Sequence, residues 1–194
     1  MLGEMSKKYD PFKILISTIL SARCRDEVTE VIAKDLFRKY RTPEMLAKAN
    51  PSDVKRIIHS IGFYNAKTKS VIGAAKMVVH DFRGKVPKDW ESLLSLPGVG
   101  RKVAGCVRVY AFNEPAIPVD THVHRISNRL GWVKTKTPEQ TEKELERIVP
   151  RKYWNIVNDT LVSHGKTICT PGIPHCSTCP VFPYCKRVGV KKWK

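Results

Sequence analysis

The chain has 194 residues, 42% of them hydrophobic, and a formal net charge of +17 from 35 Lys and Arg against 18 Asp and Glu. That apolar content argues against a disordered chain, and the length suffices for one good-sized core or two small ones. The start, MLGEMSKKYD, has no apolar signal segment and no run of about 18 apolar residues follows, so neither secretion nor membrane spanning is expected; the charge fits equally a plainly basic, soluble surface or a polyanionic partner, nucleic acid ahead of a membrane surface.

The periodicity is helical almost throughout. Asp10-Pro11 joins a capping side chain to a proline at the first helical position and predicts a helix through Leu20. A second helix from about Asp26 sets Val28, Val31, Ile32, Leu36 and Tyr40 on one stripe. Thr42-Pro43 and Asn50-Pro51 open two short helices in the same manner. Asn65 caps a longer helix that carries Val71, Ile72, Ala75, Val78 and Val79 and stops before Gly84, and another starts near Asp89. Further on, Thr137-Pro138-Glu139-Gln140 reads as a capping box for a helix through Ile148, and a last helix covers Tyr153 to about His164. No stretch alternates with period two over a convincing length, so the fold class is all-α.

After the helix that starts near Asp89 comes Leu96-Pro97-Gly98-Val99-Gly100-Arg101-Lys102, a turn leading into a helix from about Arg101 to Phe112. Two glycines at spacing two permit a tight turn and a close backbone approach, and the N-terminal N–H groups of the following helix suit an anion such as a phosphate. An ordinary αα corner has the same ingredients. Lys102 falls in the first helical turn, where the positive helix end disfavours its charged form; a desolvated lysine there is a candidate nucleophile, although most lysines are solvated surface charges. Eighteen residues later Val119-Asp120-Thr121-His122-Val123-His124-Arg125 opens the next helix. Asp120 is a good N-cap and also a candidate carboxylate partner for Lys102. His122 and His124 fall on different helix faces, which suits surface or packing roles, and Arg125 and Arg129, one turn apart, are candidate phosphate contacts or plain solvated charges.

Six cysteines in a chain without a secretion signal argue against a disulfide framework. Cys24 and Cys106 stand in helical segments and read as small buried apolar residues. Cys169, Cys176, Cys179 and Cys185 crowd together with the spacing Cys-x6-Cys-x2-Cys-x5-Cys. Structural zinc commonly takes two short pairs across a longer gap, and only one pair here is short. From the ligand set alone, an iron–sulphur cluster and zinc both stay open.

The hairpin lysine, the Val-Asp-Thr-His segment and the cysteine spacing, in this order, resemble the endonuclease III family of DNA glycosylases. Leu20-Ser21-Ala22 and Ile61 to Lys67 match it too, so the resemblance spans nearly the whole chain. It implies two helical domains with a DNA cleft between them: a six-helix domain over 11–115 with a helix–hairpin–helix motif, and a cluster domain from 1–10 and 116–194. It implies one [4Fe-4S] cluster on Cys169, Cys176, Cys179 and Cys185. It further implies a bifunctional N-glycosylase and AP lyase of base excision repair that removes oxidised pyrimidines and nicks 3′ to the abasic site by β-elimination. Lys102 would form the Schiff base, with Asp120 as its carboxylate. DNA contacts would come from Leu96, Gly98, Val99, Gly100, Arg101, Arg23, Phe63, His122 and Arg125. The partner is double-stranded DNA with a damaged base or abasic site, and the expected enzyme is an intracellular monomer, in cytoplasm or nucleoid if prokaryotic.

The chain departs from the family pattern at several points. Arg23 stands where relatives often have a glutamine that fills the gap left by the flipped base, and Phe63 stands where familiar members place a leucine wedge. The loop Thr170-Pro171-Gly172-Ile173-Pro174-His175 lacks the basic residues often found between the first two cluster cysteines, and only about ten residues precede the segment that matches Pro11-Phe12. Three other readings compete. A monofunctional mismatch glycosylase would lack a lysine at position 102, a hairpin DNA-binding protein would need neither Lys102 nor Asp120, and an electron carrier would not call for the +17 charge.

Overall fold

The computed structural model describes residues 10–24 and 26–194. The residues assigned above to 1–9 therefore lie outside the described part. Among the described residues there are α-helices and short 3₁₀ turns and no strand, as an all-α chain requires. In chain order the helices are α1 (Pro11–Ser21), α2 (Asp26–Lys39), α3 (Pro43–Ala47), α4 (Pro51–Ile58), α5 (Tyr64–His80), α6 (Trp90–Ser95), α7 (Arg101–Phe112), α8 (Thr121–Leu130), α9 (Pro138–Ile148) and α10 (Trp154–Thr167). Described residues up to Glu114 form one compact unit and Pro115–Lys194 a second.

The caps explain most of the starts. Asp10 Oδ1 accepts from the Lys13 N–H at 2.8 Å, Asn50 Oδ1 from Ser52 at 2.9 Å and Asp89 Oδ1 from Ser92 at 2.8 Å. Each satisfies a donor that the helix itself cannot. The capping box of α9 closes one residue out of register: the Gln140 N–H donates to Thr137 Oγ1 at 3.3 Å, while Gln140 Oε1 accepts from Lys136, the residue before the cap, at 2.9 Å. The start of α5 differs from expectation. Asn65 lies inside the helix and Phe63, in the left-handed region, precedes it with no side-chain cap. Val31 also leaves the predicted stripe of α2 and is 60% exposed, because Thr29 and Ala33 turn inward with Ile32 and Leu36.

In the first unit α1 packs against α2, α5 and α7, and α3 against α5. Leu15, Ile16, Leu20, Leu36, Leu46, Ile58, Val71 and Leu93 form its core, all at or near complete burial. The second unit has its own core of Ile117, Val123, Ile126, Leu130, Leu145, Val157 and Leu161, with α8 packed on α9 and α10. Cys169 and Cys185 pack against that second core, so the cysteine segment is fastened to α8 and α10 and is not a loose tail. Cys106 is fully buried in α7, as a small apolar residue would be, and Cys24 is half-buried against the first core.

Candidate active site and cysteine centre

The turn that carries Lys102 is built from two glycines with different causes. Gly98 has φ +79°, and a Cβ placed there would lie 2.6 Å from Ser70 Cβ and 3.3 Å from Ile19 Cγ2. Both the backbone angle and the packing of the turn on α5 and α1 therefore demand glycine. Gly100 has φ −93° and ψ 179°, extended backbone open to any residue, and a Cβ there would meet nothing within 4 Å. No part of the protein forbids a side chain at position 100; its absence leaves open space in front of the α7 N-terminus, which no side chain caps. An uncapped helix start behind an open backbone is a fitting seat for an anion.

Leu96 and Val99 are 2% and 6% exposed, so the side chains of these two sequence-predicted contacts belong to the core of the turn, while Gly98 and Gly100 between and beside them are exposed. Arg101 is exposed, with its guanidinium 4.2 Å from the centre of the Trp90 ring, and Arg108 reaches the same ring at 5.2 Å. Lys102 is half-buried at the second position of α7, ahead of the buried Val103 and Ala104.

Arg23 and Phe63 come together in the same unit. Each is a non-glycine residue with positive φ, 55° and 60°, and the Arg23 guanidinium lies 5.5 Å from the centre of the Phe63 ring. Phe63 is 62% exposed and so is not a core aromatic. A left-handed L-residue costs about 1–2 kcal/mol, while an exposed cation–π contact returns about 0.5–1 kcal/mol. The pair is therefore strained on balance, and strained exposed side chains of this kind gather where a protein meets a ligand.

In the second unit Asp120 caps α8, its Oδ1 accepting from both the His122 N–H at 2.8 Å and the Val123 N–H at 2.9 Å. The histidines next to it have packing partners. His124 Nδ1 lies 2.6 Å from Thr141 Oγ1 in a network with Asn128 and Thr135, and His122 Nδ1 lies 3.2 Å from Arg125 Nη2. Arg125 and Arg129 are not plain solvated charges. Arg125 Nη2 donates to the carbonyls of Gly165 at 3.2 Å and Cys169 at 2.9 Å, and Arg129 donates to Thr170 O, Pro171 O and, at 3.4 Å, to Cys169 Sγ. Both tie α8 to the cysteine segment, a role that no sequence spacing announces.

The four cysteines of that segment line one cavity with Ile126, Arg129 and His164. Burial first, and then the neighbouring thiols of Cys169, Cys179 and Cys185, push the Cys176 thiol above its usual range, with the Arg129 guanidinium opposing them. His164 Nε2 lies 3.8 Å from Cys179 Sγ, and burial pulls its imidazole toward the neutral form. Among the described residues no group of three or more His, Cys, Asp or Glu is arranged to hold a single metal ion. Four half-buried thiols facing one cavity, with Arg129 donating to one of them, are a donor set that fits a cationic metal core held by thiolates.

A family model described as the HhH-GPD superfamily base excision DNA repair protein matches residues 16–151. The chain is 48% identical to Endonuclease III of Thermotoga maritima, over 93% of this chain and 84% of that protein. Its fold is similar to that in a solved structure of a trapped endonuclease III–DNA covalent intermediate, with a TM-score of 0.88 at 36% identity, covering 96% of this chain and 92% of that one. A thermostable thymine-DNA glycosylase is also similar, with a TM-score of 0.84 at 28% identity over 95% of this chain and 87% of the other.

Proposed function

Because this chain belongs to the endonuclease III family, within the HhH-GPD superfamily of base excision DNA repair proteins, we propose that it is a bifunctional DNA N-glycosylase and AP lyase acting on oxidised pyrimidines and abasic sites in duplex DNA. The observation that carries this reading over a monofunctional mismatch glycosylase is Lys102, half-buried at the start of α7 directly behind the open Gly98–Val99–Gly100 turn. Incubation with duplex DNA containing thymine glycol or an abasic site, followed by borohydride, tests it. A covalent protein–DNA adduct is expected; a folded protein that gives none would exclude the lyase chemistry.

In this reading the turn backbone and the α7 N-terminus hold a backbone phosphate, which fixes register without reading sequence. The damaged nucleotide is rotated out of the stack. The Lys102 amine attacks C1′, the glycosidic C1′–N bond breaks, and the base leaves with its electron pair and takes up a proton. The amine then loses a proton, and the C1′–O4′ bond breaks as the nitrogen lone pair forms the iminium and O4′ takes up a proton. Removal of a proton from C2′ then expels the 3′ phosphate and nicks the strand. Asp120 is the carboxylate that supports the amine and the cationic sugar. Phe63 and Arg23 enter the duplex, the ring between bases and the guanidinium toward the opposite strand. Arg125 and His122 are engaged with each other, and Arg125 also with the cysteine segment, so in this reading any contact they make with DNA is secondary to those bonds. Such an enzyme works where DNA is, inside the cell, and as a monomer; among the described residues no helix is long and apolar enough to cross a membrane.

Cys169, Cys176, Cys179 and Cys185 would hold one [4Fe-4S] cluster, which supplies a structural clamp on the second unit and a redox-active centre when bound. Cys176→Ala is expected to give a colourless protein whose second unit is poorly folded, read as lost absorbance near the visible thiolate–iron bands and a markedly lower melting temperature. A stable, active, colourless variant would contradict the clamp. Phe63→Gly separates strain from function in a different way. Glycine adopts φ +60° freely, so the melting temperature should stay level or rise by about 2–4 °C, while base release from duplex DNA falls about tenfold. Loss of stability without loss of activity would return Phe63 to a packing role.

A further inference from the structure

We propose that Lys67 is a positioning residue for strand opening: its buried ammonium couples the junction carrying Arg23 to the helix carrying Phe63, so that the two enter the duplex as one preassembled unit. The inference rests on the reading of this chain as a DNA glycosylase and adds to it a residue that touches neither sugar nor base.

Lys67 is only 6% exposed, the one lysine among the buried polar residues of the described chain. Its Nζ donates to the carbonyl of Leu20 at 2.8 Å. Leu20 is the penultimate residue of α1, where carbonyls have lost their helical donors and the dipole end favours a cation. Ala22, Arg23 and Cys24 follow immediately, and the Cys24 N–H folds back onto Ser21 O at 3.0 Å. Burial draws the Lys67 ammonium below its usual range and the nearby Cys24 thiol opposes this, which places the ammonium beside the same junction.

At its other end Lys67 is anchored to the second element. It lies one turn into α5, and its backbone N–H donates to Phe63 O at 3.0 Å. The two junctions abut: a Cβ on Gly62 would stand 4.0 Å from Arg23 O. A single buried side chain thus spans from the Phe63 turn to the end of α1, and the two exposed left-handed residues meet above it at 5.5 Å. A leucine or methionine would fill that space without desolvating a charge. The cation is explained if the carbonyl it grips must not move when a base stack pushes against Arg23 and Phe63.

A lysine that merely caps α1 would lower stability when replaced and leave the behaviour of the folded fraction unchanged. The experiment therefore reads base unstacking directly. The full-length, cluster-loaded protein is bound to a duplex holding a tetrahydrofuran abasic analogue opposite 2-aminopurine, with binding followed by anisotropy and unstacking by 2-aminopurine fluorescence. Wild type is expected to raise the fluorescence severalfold. Lys67→Met should bind within threefold of wild type and lose at least half of that rise, and its kcat on thymine glycol duplex should fall about tenfold at little changed KM. Lys67→Arg keeps a donor within reach of Leu20 and should restore most of the signal. A full rise in Lys67→Met, or an arginine variant as silent as methionine, overturns the proposal. If Lys67→Met does not fold, Lys67→Gln is compared with Lys67→Arg on the same duplex, with the same outcomes deciding. Borohydride trapping by wild type on abasic duplex is run alongside: no adduct there sinks the glycosylase–lyase reading, whereas an adduct with a full Lys67→Met rise sinks only the role of Lys67.

Discussion

Lys102→Ala is expected to bind abasic-site duplex as tightly as wild type, to form no adduct on borohydride treatment, and to lose at least about a thousandfold in strand nicking. The structure makes this a clean experiment. Lys102 is half-buried at the start of α7, and the residues that fix the helix, Val103, Ala104 and Val107, point into the first core. Alanine favours a helix at least as well as lysine, so the melting temperature should move by less than about 2 °C. The proposed phosphate seat, backbone at Gly98–Gly100, does not need the amine. Lys102→Arg sharpens the test, because it restores the positive charge but not a nucleophilic amine. If charge alone supported catalysis, arginine would rescue; the expectation is that nicking stays lost. An alanine variant that still forms the adduct would move the nucleophile elsewhere among the lysines.

What could be read from the sequence was decided by local chemistry. Asp10, Thr42, Asn50, Asp89 and Thr137 each sit one residue before a helix start and act on an N–H two or three residues on, so capping needs no knowledge of the rest of the fold. The cysteine spacing likewise brings four thiols to one cavity within one short segment. The residues that escaped the sequence are those whose role depends on distant partners. Lys67 reads as one more surface lysine until Leu20, 47 residues away, is seen to hold it. Arg125 and Arg129 read as phosphate contacts or plain solvated charges, and only the fold shows their donors on carbonyls of the cysteine segment, 40 to 44 residues away. Phe63 is a special case. Helical periodicity placed the cap at Asn65, and nothing in local propensity signals that an aromatic residue takes a left-handed angle just before the helix. The glycines show the same divide: Gly98 and Gly100 look equivalent in sequence, yet the fold demands glycine at the first and leaves room for a side chain at the second.

Asp120 carries two roles that substitutions can pull apart. Its Oδ1 holds the first turn of α8 through two backbone N–H groups at 2.8 and 2.9 Å, and a cap of this kind is worth about 1 kcal/mol. In the proposed reaction its negative charge is the part that base release needs. Asparagine presents the same oxygen at the same place and caps nearly as well, so Asp120→Asn should melt within about 2 °C of wild type. If Asp120 acts as proposed, loss of the charge removes the support of the cation that develops at C1′, and release of thymine glycol should fall at least about a hundredfold. Trapping at a preformed abasic site should fall less, since an aldehyde already present requires no base to be expelled. Asp120→Glu gives the converse, a retained charge on a chain one methylene too long to cap, and should lose stability more than its share of activity. Asp120→Ala should lose both, with a melting temperature about 2–4 °C lower. The ordering of the three variants is the decisive quantity. If base release follows melting temperature, with asparagine near wild type, the carboxylate is a helix cap and no more; if it follows charge, with glutamate above asparagine, Asp120 acts in the reaction while it holds the helix.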